Sequence, residues 1–300
     1  MNMPEPEFSW RPFLAIVVVV ILLVGAGIYA LSVTVNKPIP APGNPTVVEG
    51  DNVSVNYIGT FGSGINEGKV FDTSLLSVAR NNASYPKALS FGFRGVSGYV
   101  PLDAHVGPQS YTPFTSLIPG FWQALIGMRE GQTKVVTIPP ALAYGPANQS
   151  LIQTLPLVQE LPMLYTYTPA AFGTAYGGIA ALPGSTFTDP HWGWTDVILS
   201  VNSTAVVLEY APTLGEVVHP FGWAATVTNL STPHNSTGAI TLTNQLTPSD
   251  VGTVTGTNFQ NSQVFYLTNV NLQTGTYTLD YNSLTAGATL IFTITLVAIY

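Results

Sequence analysis

Residues 116–145 read SLIPGFWQALIGMREGQTKVVTIPPALAYG. Pro119-Gly120 opens a short helix, because a proline at the first helical position removes no bond the helix would make. Phe121, Leu125 and Met128 share one face of that helix. Gly127 weakens it, and Gly131 can end it in the left-handed conformation. QTKVVTI alternates and is β-rich, so it predicts a strand. PPALAYG predicts a loop whose Tyr144 stands outside any regular ladder. The stretch holds no Cys, no His and no nucleophile beside a base. Any chemistry it carries must work without an acid–base pair.

Upstream, VEGDNVSVNYIGTF (48–61) alternates Val53, Val55 and Tyr57 with Asn52, Ser54 and Asn56, the pattern of a half-buried strand. A glycine-rich turn, GSGINEG, leads into KVFDTS, where Phe71 is expected to point one way and Asp72 the other. A loop from about 75 to 115 follows and holds Tyr85, Phe91, Phe93, Tyr99 and Tyr111.

Charged residues make up 8% of the 300, against roughly 25% in ordinary soluble proteins. Net charge is −7, and no Lys or Arg follows Lys134. A nucleic-acid partner is therefore not expected. Cys is absent, which excludes disulfides and thiolate catalysis. His105, His191, His219 and His234 lack ligand spacing, so neither a metal nor another cofactor is expected. So low a charge fits an acidic exterior, where carboxylates are neutral. It fits a Thr/Asn-rich coat composition in an ordinary exterior equally well.

Residues 13–35, FLAIVVVVILLVGAGIYALSVTV, carry no charge and are long enough to cross a ~30 Å hydrocarbon core. They predict an uncleaved transmembrane helix in contact with membrane lipid. A cleaved signal peptide, with AGIYA at 26–30 as its site, is the rival. Arg11 and Lys37 balance across the span. The missing Cys and the sequons at Asn52, Asn82, Asn148, Asn202, Asn229 and Asn235 place the C-terminal bulk outside the cytoplasm. Between span and bulk, KPIPAPGNPT has four prolines in ten residues and reads as a semi-rigid spacer.

Four pieces now stand in order: GDNVSVNYIG, GKVFDTS, LIPGFWQALIGMREGQTKVVTIPP and AYG. Together they resemble the FKBP-type peptidyl-prolyl isomerases. A fifth, YTLDYNSLTAGATLIFTITLVAI (277–299), is similar to the ending of the SlyD-like branch, in which an insert-in-flap domain precedes the last strand. The resemblance covers roughly 125 residues flanking an insert. It implies an α+β fold: an FKBP-like antiparallel β-sheet wrapped on a short helix, with an inserted all-β domain and an N-terminal transmembrane helix. The expected division is a tail 1–12, the span 13–35, a linker 36–47, a first domain part 48–148, the insert 149–275 and a last strand within 276–300.

Within the insert, WTDVILSVNSTAVVLEYAPTLG, WAATVTNLSTPHNSTGAITLTNQLTPSDVG and QVFYLTNVNLQTGTYTLDYNSLTAG look alike. Each is two β-rich runs about an Asn/Ser/Thr/Gly turn, which predicts stacked hairpins with a period of about 30–40 residues. Residues 161–187 are apolar and aromatic. They read either as a surface for unfolded chains or as core between the two domains.

The resemblance also implies the chemistry and its site. Tyr57, Phe71, Phe121 and Phe292 would wall and floor a proline pocket also formed by Leu117 and Ile118. The Ile118 N–H and the Tyr144 hydroxyl would bond peptide carbonyls. Asp72 would sit near the twisted amide or orient Tyr57. The implied partners are proline-containing unfolded or nascent polypeptides, met by a membrane-anchored folding helper. Two other readings stay open, a non-catalytic holdase and a surface structural protein on the same fold. The family often has Trp where Phe121 stands. Its His/Cys-rich metal-binding tail is absent from this sequence.

Overall fold

The computed structural model describes residues 45–231, 238–258 and 262–300. The expected tail 1–12, the span 13–35, most of the 36–47 linker, His234 and the Asn235 sequon lie outside those residues. Among the described residues no helix is long and apolar enough to cross a membrane.

The first part of the chain gives β1 (Asn52–Phe61), β2 (Val70–Thr73), α1 (Leu76–Arg80), β3 (Leu102–His105) and β4 (Thr115–Ser116). Then come α2 (Pro119–Leu125) and β5 (Thr133–Ile138). The insert supplies β6 (Ile152–Pro156), β7 (Val158–Pro162), β8 (Leu164–Tyr167), α3 (Pro169–Ala175), β9 (Thr186–Thr188), β10 (Thr195–Val201) and β11 (Val206–Tyr210). It continues with β12 (Val217–Val218), β13 (Ala225–Ser231), β14 (Ala239–Asn244), β15 (Thr255–Thr257), β16 (Val264–Asn271) and β17 (Thr276–Asp280). β18 (Leu290–Ile299) closes the chain's regular structure.

One sheet has the order β4-β3-β1-β18-β5, with β2 also paired to β1. Its centre joins the two chain ends, with Tyr57 opposite Ile294 and Gly59 opposite Phe292. Leu290, Phe292, Ile294 and Leu296 alternate inward on β18 and are all buried. α2 lies on this face and buries Phe121, Ala124 and Leu125, with Met128 just beyond. A Cβ on Gly120 would stand 2.4 Å from the Ile138 methyl, so glycine is what lets helix and sheet approach. Gly127 lies outside the helix at φ +80, so it terminates α2 rather than weakening it.

The insert is built from three sheets of one pattern: β8-β11-β10-β9, β7-β14-β13-β12 and β6-β17-β16-β15. Each expected hairpin forms the middle of one sheet. Each first strand has a bulge at the same place, between Ile198/Ser200, Val227/Asn229 and Leu267/Asn269. The pairs before those bulges are buried, Ile198–Leu208 and Val227–Leu242 in one shared core and Leu267–Leu279 in another. The run 152–167 gives one edge strand to each sheet, in reverse order of the hairpins. Leu155-Pro156 and Leu161-Pro162 end two of these strands, and proline is tolerated there because edge strands have free N–H positions.

Two expectations need correction. β17 belongs to the insert, because it pairs with β6 and β16, so the insert extends past 275 to Asp280. The 161–187 stretch is mostly core of the insert, not an exposed face and not interdomain packing. Met163, Phe172 and Tyr176 are buried with the first and second sheets, and of its large apolar residues only Leu182 stands out in solvent.

The insert's two roots are clasped. The Asn282 side chain accepts from the Asn148 N–H (2.9 Å) and donates to the Asn148 carbonyl (3.0 Å), while bonding Asp280 (2.7 Å). Gly287 N–H donates to the Gly145 carbonyl at 2.8 Å.

Candidate active site

Tyr57 stands on the central strand β1 and Phe292 on its neighbour β18, so the best-supported part of the sheet positions two rings. Phe121 on α2 packs edge-on to both, 6.0 Å from Tyr57 and 5.0 Å from Phe292. Phe71 meets Phe292 edge-on at 5.5 Å. Edge-to-face rings leave a rigid apolar floor without collapsing onto one another.

β2 brings both Phe71 and Asp72 to this floor. Consecutive strand residues normally face opposite ways, as expected for these two from sequence. A bulge intervenes: Gly59 pairs with Asp72 but Thr60 pairs with Val70, leaving Phe71 as the extra residue. Gly59 makes room for it, since a Cβ there would lie 2.7 Å from the Phe71 ring.

The Tyr57 hydroxyl donates to Asp72 Oδ2 at 2.6 Å. Burial, then the bond to Asp72, raises the Tyr57 hydroxyl well above its usual range, so it stays a donor at any physiological pH. Asp72 Oδ1 accepts from the Thr73 N–H and lies 3.2 Å from the Arg94 guanidinium. Arg94 also donates to the Thr73 carbonyl and lies over the Tyr99 ring at 5.3 Å. Burial would lower Arg94, but Asp72 and Tyr57 outweigh it and the net shift is upward.

All eight residues expected at the site (Tyr57, Phe71, Asp72, Leu117, Ile118, Phe121, Tyr144, Phe292) line one half-open cavity of about 340 Å³. Tyr144 leans over its rim from the loop after β5 and is half-exposed. Burial of its ring, then the charge of Asp72, raises its hydroxyl. Ile118 is extended ahead of Pro119, at φ −62 and ψ 149, and among the described residues nothing accepts from its N–H.

Arg94, Leu102, Thr115 and Ser116 also line the cavity and were not expected there. Arg94, Leu102 and Thr115 come from the long 75–115 segment and Ser116 directly follows it; β3 and β4 extend the sheet edge and Arg94 reaches the cavity. The available signal was Arg94 itself, a cation among Phe93 and Tyr99 in a chain with eight Lys and Arg. Tyr85, Phe91, Tyr99 and Tyr111 stay off the wall. Among the described residues no cluster of His, Asp or Glu could hold a metal ion.

The arrangement offers an apolar bed for a small ring, fixed donors above it and no nucleophile. It suits a reaction that twists a bond rather than breaking one. Residues 43–155 match the family model of the FKBP-type peptidyl-prolyl cis-trans isomerases. Over 110 residues, 37% of this chain, identity is 37% to a "Short-type peptidyl-prolyl cis-trans isomerase" of Methanocaldococcus jannaschii, covering 58% of that protein. A 37-residue stretch, 12% of this chain, is 54% identical to "Peptidyl-prolyl cis-trans isomerase Mip" of Chlamydia trachomatis, covering 15% of it. The chain thus spans less than two thirds of either relative. Residues 43–155, which carry all of the aromatic cavity's lining except Phe292, are similar to the FKBP-type peptidyl-prolyl isomerases.

Proposed function

We propose that this domain isomerises X-Pro peptide bonds in polypeptides presented to it by the insert. The observation that carries the reading is the coincidence of an edge-packed aromatic floor with the Tyr57–Asp72 bond and two outward donors. An X-Pro amide turns over a barrier of about 18–20 kcal/mol because its C–N bond is partly double. The proline ring would lie on Phe121 and Phe292, out of water. A twisted amide has lost conjugation, so its carbonyl and nitrogen are better served by fixed dipoles than by the planar ground state. The Ile118 N–H and Tyr144 hydroxyl would hold flanking carbonyls. Asp72, kept in place by Tyr57 and Arg94, would face the reacting amide.

The SlyD-like placement of the insert supports a folding helper that grips clients outside the catalytic cavity. The uncharged run 13–35 supports a membrane anchor with both domains extracytoplasmic. A protease-coupled assay of cis-to-trans conversion in an X-Pro tetrapeptide tests the activity. Asp72→Ala and Tyr144→Phe should each lower turnover about tenfold or more, a charge-assisted or single hydrogen bond being worth about 1–3 kcal/mol. Both variants should keep the wild-type melting temperature within a few degrees. Wild-type rates in both would remove the site.

A further inference from the structure

A cavity larger than the one above lies elsewhere in the described residues. It lies in the insert, has a volume of about 550 Å³, and opens between α3 and the first sheet. Ala171, Thr174 and Ala175 of α3 form its exposed rim. Tyr167, Trp192 and Tyr210 wall it, and Asp189 and Tyr176 make its polar end.

Asp189 is 1% exposed. Its Oδ1 accepts from the His191 and Trp192 N–H groups at 2.7 Å each, which holds the turn between β9 and β10. That structural duty uses one oxygen. Oδ2 meets the Tyr176 hydroxyl at 3.3 Å, and Tyr176 in turn meets the Tyr210 hydroxyl at 3.3 Å. Both contacts are long, and both leave lone pairs for another donor. Asp196, fully buried beside Asp189, finds no donor for either oxygen while it is ionised. Burial, then Asp189, pushes it up to about 9, so at neutral pH it is the uncharged member of the pair.

Nothing in the insert balances Asp189. No Lys or Arg occurs after Lys134, and burial lowers His191, so the ring facing the cavity is neutral at neutral pH. A buried acid normally has a cationic or metal partner. Here Asp189 lines a cavity together with Tyr167, Trp192 and Tyr210, and aromatic faces attract cations through their quadrupole. Among the described residues no Lys or Arg lines this cavity.

We propose that this cavity binds a primary ammonium group, carried by a lysine side chain of a docked polypeptide or by a free alkylamine. The ammonium would donate to Asp189 Oδ2 and the Tyr210 hydroxyl, with its alkyl stem along Trp192 and Tyr167. The inference stands apart from isomerisation and needs no property of the catalytic cavity.

Calorimetric titration of the full chain tests it. The probes are Nα-acetyl-lysine methylamide, its norleucine isostere, n-pentylamine and glucose. The lysine probe should bind at least about tenfold more tightly than the norleucine isostere, since a desolvated cation–π contact and a charge-assisted bond are both lost in the latter. A lysine probe tighter than pentylamine identifies a polypeptide as the source, and the reverse identifies a free amine. Asp189→Asn keeps an oxygen for the turn but removes the charge, and should erase the preference. Thr174→Trp on the exposed rim should block the mouth without touching the core, and covers the case in which Asp189→Asn fails to fold. Equal binding of lysine and norleucine probes overturns the proposal. So does preferential binding of glucose, or lysine binding undiminished in folded Thr174→Trp.

Discussion

Two aromatic cavities among the described residues are finished in opposite ways. In the sheet wrapped on α2, the acid is neutralised from within: Tyr57 donates to Asp72 at 2.6 Å and Arg94 stands 3.2 Å away. In the insert, the acid pair Asp189 and Asp196 has phenols and backbone N–H groups around it but no cation. The first cavity has its charges paired and offers neutral donors, which suits an amide. The second has Asp189 in its wall with no Lys or Arg among its lining residues. Similar ring content therefore says little about the ligand; the counter-ions decide.

The largest effect should come from separating the two cavities. Asn148 and Asn282 are hydrogen-bonded neighbours, so residues 149–281 can be replaced by a short glycine-containing turn without stretching the sheet. Tetrapeptide isomerisation should stay within about threefold. Catalysed refolding of a proline-limited protein should slow about tenfold or more, because a tethered second site raises the local concentration of the X-Pro bond toward the millimolar range. Suppression of aggregation should also be lost. Equal losses on peptide and protein would show that the insert only supports the catalytic sheet.

The uncompensated pair predicts a pH signature. Folded Asp196 is pushed up to about 9 from a usual value of 3.8. Between those values the folded chain holds one more proton than the unfolded chain. Stability then falls as pH rises, by up to about 1.4 kcal/mol per pH unit, and levels off above the folded value. Asp196→Asn lacks this slope and should gain on the wild type by a few kcal/mol between pH 5 and 8. Parallel denaturation midpoints across that range would mean Asp196 is ionised in the fold.

The first cavity was legible through the family resemblance, which carried positions as far apart as Tyr57 and Phe292. Pro119-Gly120 starts the helix, alternation marks β1 and β5, the resemblance supplies β18, and all eight residues it implied line one cavity. The failures were nonlocal. The Phe71 bulge depends on pairing with Gly59, which one strand cannot announce. Arg94 lies 22 residues from Asp72 in a loop without periodicity. In the insert the hairpins were visible from their turns. The three edge strands of 152–167 were not, because each pairs with a hairpin 40 to 125 residues away. The 161–187 stretch read either as a surface or as core between the domains, because composition cannot tell a core from a patch.

The clasp at the insert roots couples the two regions. Asn282 is 7% exposed and its amide joins chain segments 134 residues apart. Asn282→Ala should strand the Asn148 N–H and carbonyl and cost about 1–3 kcal/mol in chemical denaturation. If the clasp holds the domains as one cooperative unit, the variant should also split or broaden the unfolding transition. An unchanged midpoint would show that the Gly145–Gly287 bond suffices.

The smallest effect should fall on Arg94, and it measures how far pairing from within matters. The guanidinium and the Asp72 carboxyl are each about two-fifths exposed, 43% and 42%. Water screens such a pair, and exposed ion pairs are worth about 0–1 kcal/mol. Asp72 retains the Tyr57 hydroxyl and the Thr73 N–H when Arg94 is removed. Arg94→Gln should therefore lower tetrapeptide turnover by about threefold at most, through less rigid placement of Asp72, and rising salt should shrink the difference. Its melting temperature should move little, because Gln can still donate to the Thr73 carbonyl that Arg94 now bonds. A loss as large as that of Asp72→Ala would mean that Arg94 itself touches the reacting amide. The catalytic cavity would then share with the insert's cavity a dependence on positive charge, supplied by the chain in one and by the ligand in the other.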